Sequence, residues 1–208
     1  MTTNQSMVEC LRRIRVNRIR LVCFDFDQTA YRGHTGGSLD VPVRHLVPRM
    51  LQMVSNLSQD FLTLVLALHE EKINVAIVTF CDGIYNEMSL ASSTIMLGGD
   101  ALIRPVLNQG LSKETVDKIP IDGLNPEWRN GEDGEPPQFP NSKHWHMILA
   151  MEHFSVHHPD EVLLIDDSPH NISEAASEGF HTVLASPETA FEASQLLEQL
   201  VDPQERTM

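Results

Sequence analysis

Residues 21–29, Leu-Val-Cys-Phe-Asp-Phe-Asp-Gln-Thr, constrain the fold more than any other stretch of the chain. An apolar run climbs to Asp25, and a second carboxylate, Asp27, follows two residues later. Such a run reads as a buried strand, here over about 18–24. Strand side chains alternate, so residues two apart leave the strand end on one side. In open α/β sheets ligands bind outside that carboxyl edge. Two acids placed together there repel each other and need a cation or a shared proton.

The pattern of a short apolar run ending on a polar group recurs. Ile73 to Phe80 predicts a second buried strand, which carries Thr79 near its end, and Glu161 to Ile165 predicts a third, ended by Asp166 and Asp167. His181 to Ala185 is a further strand. Helical spacing fills the gaps between them, over 43–56, 58–71, 84–94, from about 143, 168–178 and 188–201. Ser168 before Pro169 marks a helix start, and Gly179 a helix stop. Ala101 to Leu107 reads as a short strand limited by Pro105, and 29–39, with three glycines, as a loop or tight hairpin. Residues 108–142 form an irregular excursion rich in Gly, Pro, Glu and Asp. The helix after it takes an apolar face from Trp145, Ile148, Leu149 and Met151, with Asn141 or Ser142 as cap. Met7, Leu11 and Ile14 give 5–17 one apolar stripe, read as a helix lying against the domain. The chain therefore divides into an N-terminal segment (1–17), one α/β domain (18–202) and a short tail (203–208). The fold class is a three-layer, doubly wound, mostly parallel Rossmann-like sheet with helices on both faces.

In a parallel sheet all strand C-termini lie at one edge. Asp25, Asp27, Thr79, Asp166 and Asp167 then face a single crevice, and Lys143, at the start of its own helix, is placed to reach it. Four acids cannot all stay ionised there without a cation. An all-oxygen, carboxylate-rich site suits Mg²⁺. These parts suggest phosphoryl transfer. A carboxylate attacks, the cation and Lys143 neutralise the phosphoryl oxygens, Thr79 and backbone N–H groups hold the group, and Asp27 moves protons.

With these residues in view, the chain resembles the haloacid dehalogenase-like (HAD) superfamily, in its phosphatase branch. Asp25-Phe-Asp27-Gln-Thr29 is similar to the family's DxDxT motif, and Val78-Thr79 to its second motif. Lys143 matches the third, and Leu164-Ile-Asp166-Asp167-Ser-Pro the fourth. The resemblance covers roughly residues 18–186. It implies that Asp25 is the nucleophile, forming an aspartyl-phosphate and binding Mg²⁺, and that Asp27 is the general acid/base and lends its backbone carbonyl to the metal. It further implies that Thr79 and Lys143 hold the phosphoryl group, with the backbone amides of Phe80 and Cys81 beside it. Asp167 is the expected direct metal ligand, with Asp166 next to it or behind it. His34 and Arg32, in the loop after the first motif, are candidates to touch substrate. The 54 residues from Asp25 to Thr79 leave no room for a large helical cap. The expected enzyme is thus capless or minimally capped, a phosphomonoester phosphohydrolase. A phosphotransferase or mutase of the same superfamily, or an inactive binding protein on the same fold, are the alternatives.

The formal charge of −14 narrows the partners. Five Arg and one Glu in residues 1–20 make the remainder still more acidic. Nucleic acid and anionic membrane are disfavoured, and a phosphorylated small molecule or phosphoprotein is the expected partner. A homodimer could complete so open a site. Three widely spaced cysteines make no disulfide framework and no Cys-x-x-Cys pair, which points weakly to a reducing compartment, the cytoplasm. His144 with His146 and His157 with His158 lack the spacing of a zinc site.

Overall fold

The structure of the protein is a computed structural model that describes residues 3–35, 38–81, 88–89, 94–124 and 143–203. Its first half runs α1 (Thr3–Val16), β1 (Leu21–Phe24), β2 (Ser38–Pro42), α2 (Leu46–Ser55), α3 (Gln59–Glu70), β3 (Asn74–Cys81), β4 (Met88–Ser89) and β5 (Thr94–Gly98). The second half runs α4 (Gly99–Gly110), α5 (Lys113–Val116), β6 (Ile121–Leu124), α6 (His144–Phe154), β7 (Val162–Asp166), α7 (Pro169–Ser177), β8 (His181–Leu184) and α8 (Ala193–Gln199).

Five strands form one parallel sheet in the order β6-β3-β1-β7-β8. The period-2 alternation of β1 divides its side chains between two apolar clusters. Val22 and Phe24 pack with α1, α3, α4 and α8, whereas Leu21 and Cys23 pack with α6 and α7. That is the three-layer α/β architecture the sequence predicts. Phe24, fully buried, meets Phe61 and Phe191 edge-on at 5.0 and 5.8 Å. β1 pairs with β3 on one side and β7 on the other, so the ends of those three strands are neighbours.

Several local readings are corrected. Ala101 to Leu107 is not a strand but the middle of α4, with Pro105 inside the helix. Leu102, Ile103, Val106 and Leu107 are buried together at helical spacing, and that burial outweighs the missing proline N–H. The expected helix 84–94 is contradicted where the structure describes it, since Met88–Ser89 and Thr94 belong to strands; 82–87 and 90–93 lie outside the described residues. β2, β5 and β4 make a small antiparallel sheet, in which Leu39 faces Leu97. β2 thus begins within the predicted loop 29–39. The irregular excursion is also shorter than 108–142. Its first part closes α4, makes α5 and supplies β6, and residues 125–142, with Trp128 and the two candidate caps Asn141 and Ser142, lie outside the described residues. Ile-Asp-Gly-Leu has too little apolar pattern to read as a strand alone; β3 beside it provides the pairing.

Helix α6 turns a different face to the core. His146, Met147, Ala150 and Met151 are buried, while Trp145 is 51 % exposed. β1 starts at Leu21 rather than 18 because Arg18 adopts φ 58° and Ile19 N–H still bonds to Ile14 O, ending α1. The last helix covers 193–199, not 188–201; Ala190 at φ 62° turns the chain just before it.

Candidate active site

The carboxyl ends of β1, β3 and β7 open into a cleft of about 320 Å³. Asp25, Asp27, Thr79, Lys143, Asp166 and Asp167 all line it. Asp25 follows β1 directly, and its N–H bonds to Ile165 O of β7 at 2.9 Å, which ties its backbone to that strand. Lys143 stands at the N-terminus of α6 and is only 2 % exposed. Its Nζ lies 2.5 Å from Asp25 Oδ1 and 2.7 Å from Asp166 Oδ2. Asp166 is further held by Ser168 N–H at 2.8 Å and by the Asn171 amide at 3.1 and 3.2 Å. The oxygens of Asp166 are therefore taken up by donors, and Asp167 stands half-buried beside it in the cleft.

These neighbours set the electrostatics. Burial pushes the Asp25 carboxyl up to about 7; Lys143 opposes that rise, and the charges of Asp166 and Asp167 add to it. Asp167 is also raised, first by burial and then by Asp166. For Lys143 burial works against the ammonium, but Asp25 and Asp166 outweigh it and the pKa rises. Carboxylate oxygens of Asp25, Asp166 and Asp167 lie within 4.8 Å of one another. Three acids so close, with one ammonium between them, are short of positive charge. Their all-oxygen character fits a hard divalent cation such as Mg²⁺.

Asp27 is held by the loop that follows it. Its Oδ2 accepts from Thr35 N–H at 2.6 Å and Thr35 Oγ1–H at 2.7 Å, and His34 Nδ1 is 3.0 Å away. The chain doubles back through Gln28 at φ 56°, whose N–H bonds to Gly33 O. Gly33 is required by packing: a Cβ there would sit 2.4 Å from the Tyr31 ring, itself buried and stacked on Phe26.

Thr79 is buried at the cleft wall, and Phe80 beside it is 38 % exposed. The β3–β6 register slips between Val78 and Cys81, an irregularity spanning both residues. The Phe80 ring meets the buried His146 ring edge-on at 5.4 Å and has Lys143 Nζ 5.7 Å from its centroid. Cys81 continues β3, but its side chain lies outside the described residues.

His34 joins the cleft; Arg32 does not. Arg32 donates to Thr189 O at 3.2 Å and lines a separate cavity with Asp60 and Glu192, because residues 31–35 turn between the two. Asp27 contributes no carboxylate to the three-acid cluster. Sequence reasoning missed Thr35, Asn171, Gln28 and His170. Asn171, three residues after the helix cap Ser168, carried a readable signal; Thr35 carried none. The paired histidines separate as helical geometry requires, with His144 on the surface beside Glu178 and His146 buried 3.2 Å from Asp122.

No family model matches the sequence, and no curated protein matches it. Solved structures do. A predicted HAD-like family hydrolase of Porphyromonas gingivalis is 14 % identical, over 81 % of this chain and 92 % of that one, with a TM-score of 0.41. The phosphatase-domain part of a Bacteroides fragilis protein, complexed with Mg, is 11 % identical over 92 % of this chain and 43 % of that one (TM-score 0.46). A predicted phosphoglycolate phosphatase of Haemophilus somnus is 13 % identical over 92 % and 99 % (TM-score 0.42). These are distant likenesses of fold. The class of the molecule follows from its own topology, a three-layer Rossmann-like α/β domain with an acid-rich cleft at the carboxyl edge of its sheet.

Proposed function

We propose that the protein is a Mg²⁺-dependent phosphomonoester phosphohydrolase that works through an aspartyl-phosphate on Asp25. The observation that carries this reading is the cluster of Asp25, Asp166 and Asp167, with one buried ammonium paired to the first two. Asp25 and Asp167 would hold the cation, with Asp166, its oxygens taken by Lys143, Ser168 and Asn171, behind them, and a bound Mg²⁺ would supply charge neutralisation for the phosphoryl oxygens. Asp25 attacks phosphorus, forming an Asp25–phosphorus bond as the bond to the leaving oxygen breaks. Asp27 gives that oxygen its proton. A water then attacks the acyl phosphate, its proton passes to Asp27, and the Asp25 carboxylate is restored as inorganic phosphate leaves. Lys143 holds Asp25 in line, and Thr79, with the backbone after it, steadies the transferring group. The bonds from Thr35 and the contact with His34 fix Asp27 while it exchanges protons.

The test is phosphate release from an aryl phosphate with and without Mg²⁺, for the wild type and for Asp25→Asn. Turnover that needs Mg²⁺ and disappears in Asp25→Asn is expected. Turnover indifferent to either change would overturn the assignment.

A further inference from the structure

Resting on that reading, we infer that the cleft selects monoesters whose leaving group is aromatic and carries no negative charge of its own. Four carboxylates line the cleft, and Lys143 is the one Lys or Arg among its described lining residues. That ammonium is already shared by Asp25 and Asp166. With Asp27 protonated for its first step, a divalent cation and Lys143 only just balance the other three acids, so no positive charge is left over for a second anionic group on the substrate. The phosphoryl group can use the cation, Lys143 and backbone amides. A second anionic group on the substrate would meet a wall of its own sign, in a chain of net charge −14.

The same wall offers an aromatic surface. Phe80 directly follows Thr79, and it is partly exposed in the cleft rather than packed into the core. Its ring is held in place by the edge-on contact with buried His146. A ring so fixed, one residue from the phosphoryl-binding position, is placed to pack against a flat leaving group. His34 and His170 line the same cleft and add polar aromatic edges.

Three substrates of similar leaving-group chemistry separate these effects: benzyl, 4-carboxybenzyl and cyclohexylmethyl phosphate, assayed on the full chain with Mg²⁺. Benzyl phosphate is expected to exceed the carboxylated ester about tenfold or more in kcat/KM at low ionic strength, with the gap closing as salt screens the wall. It is expected to exceed cyclohexylmethyl phosphate several-fold, a preference lost in Phe80→Leu. Equal or better use of the carboxylated ester, or an aryl preference unmoved by Phe80→Leu, would overturn the inference. Calorimetric binding of the three corresponding phosphonates ranks the same groups without turnover. The order expected there is the same, and an equal or reversed order overturns the inference even if no ester is hydrolysed. Absence of all Mg²⁺-dependent hydrolysis would instead count against the phosphohydrolase reading.

Discussion

Asp25 is held in a state that suits chemistry better than folding. Its pKa in the fold, about 7, lies above the ~3.9 of an unfolded Asp. Folding therefore favours the protonated form, so the stabilisation is full below pH ~4 and is lost as pH rises through about 7. The metal-free wild type should lose stability between pH 5 and 7.5, and Asp25→Asn should lose less, by about 2–3 kcal/mol. Thermal melts of both proteins in chelator across that range decide it; parallel pH profiles would refute the account. Thr35 acts on Asp27, the proposed general acid/base. Thr35→Val removes one of its two hydrogen bonds to Asp27 and keeps the backbone N–H. We expect kcat to fall about tenfold, a fraction of the roughly 10²–10⁴-fold that a positioned acid/base contributes in full, with an unchanged melting temperature. Both aspartates were legible from the sequence, because an apolar run that ends in two acids puts them where a buried strand leaves the sheet. Thr35 was not, since a loop of Gly, His and Thr has no period from which to infer where it returns.

Among the elements, α4 shows the limit of local pattern most clearly. Pro105 marks the end of a strand when read along the chain, yet Leu102, Ile103, Val106 and Leu107 make a buried helical face around it. Arg104, on the other side, donates to Val116 O at 2.9 Å and ties α4 to the end of α5. Pro105→Ala restores a donor to the helix interior and should stabilise the protein by about 1–3 kcal/mol, the range set by the cost of an interior proline. An unchanged or lower denaturation midpoint would show that the helix has adapted fully to the ring. β6 and β2 were equally hidden. Each is short and becomes a strand only through its neighbour, β3 for one and β5 for the other. β1, β3 and β7 were legible because strands buried on both faces are apolar throughout.

For the whole molecule, the shortage of positive charge in the cleft couples metal binding to stability. Mg²⁺ at about 100 times its Kd should add about 2.7 kcal/mol. The gain should be larger at pH 7.5 than at pH 5.5, because the cation must displace the proton from Asp25. Melting curves with Mg²⁺ and with chelator at the two pH values measure it, and a gain independent of pH would contradict the ligand set. The sequence by itself determined the layered α/β fold and the residues Asp25, Asp27, Thr79, Lys143, Asp166 and Asp167, because strand periodicity and the rule that parallel strands end at one edge are local or topological facts. Only the tertiary structure decided that Lys143 sits between Asp25 and Asp166, that Thr35 and His34 close on Asp27, that Phe80 faces the cleft and that Arg32 turns away. Those depend on side-chain direction, strand register and loop return, which are set by contacts between residues far apart in the chain and have no signature along it.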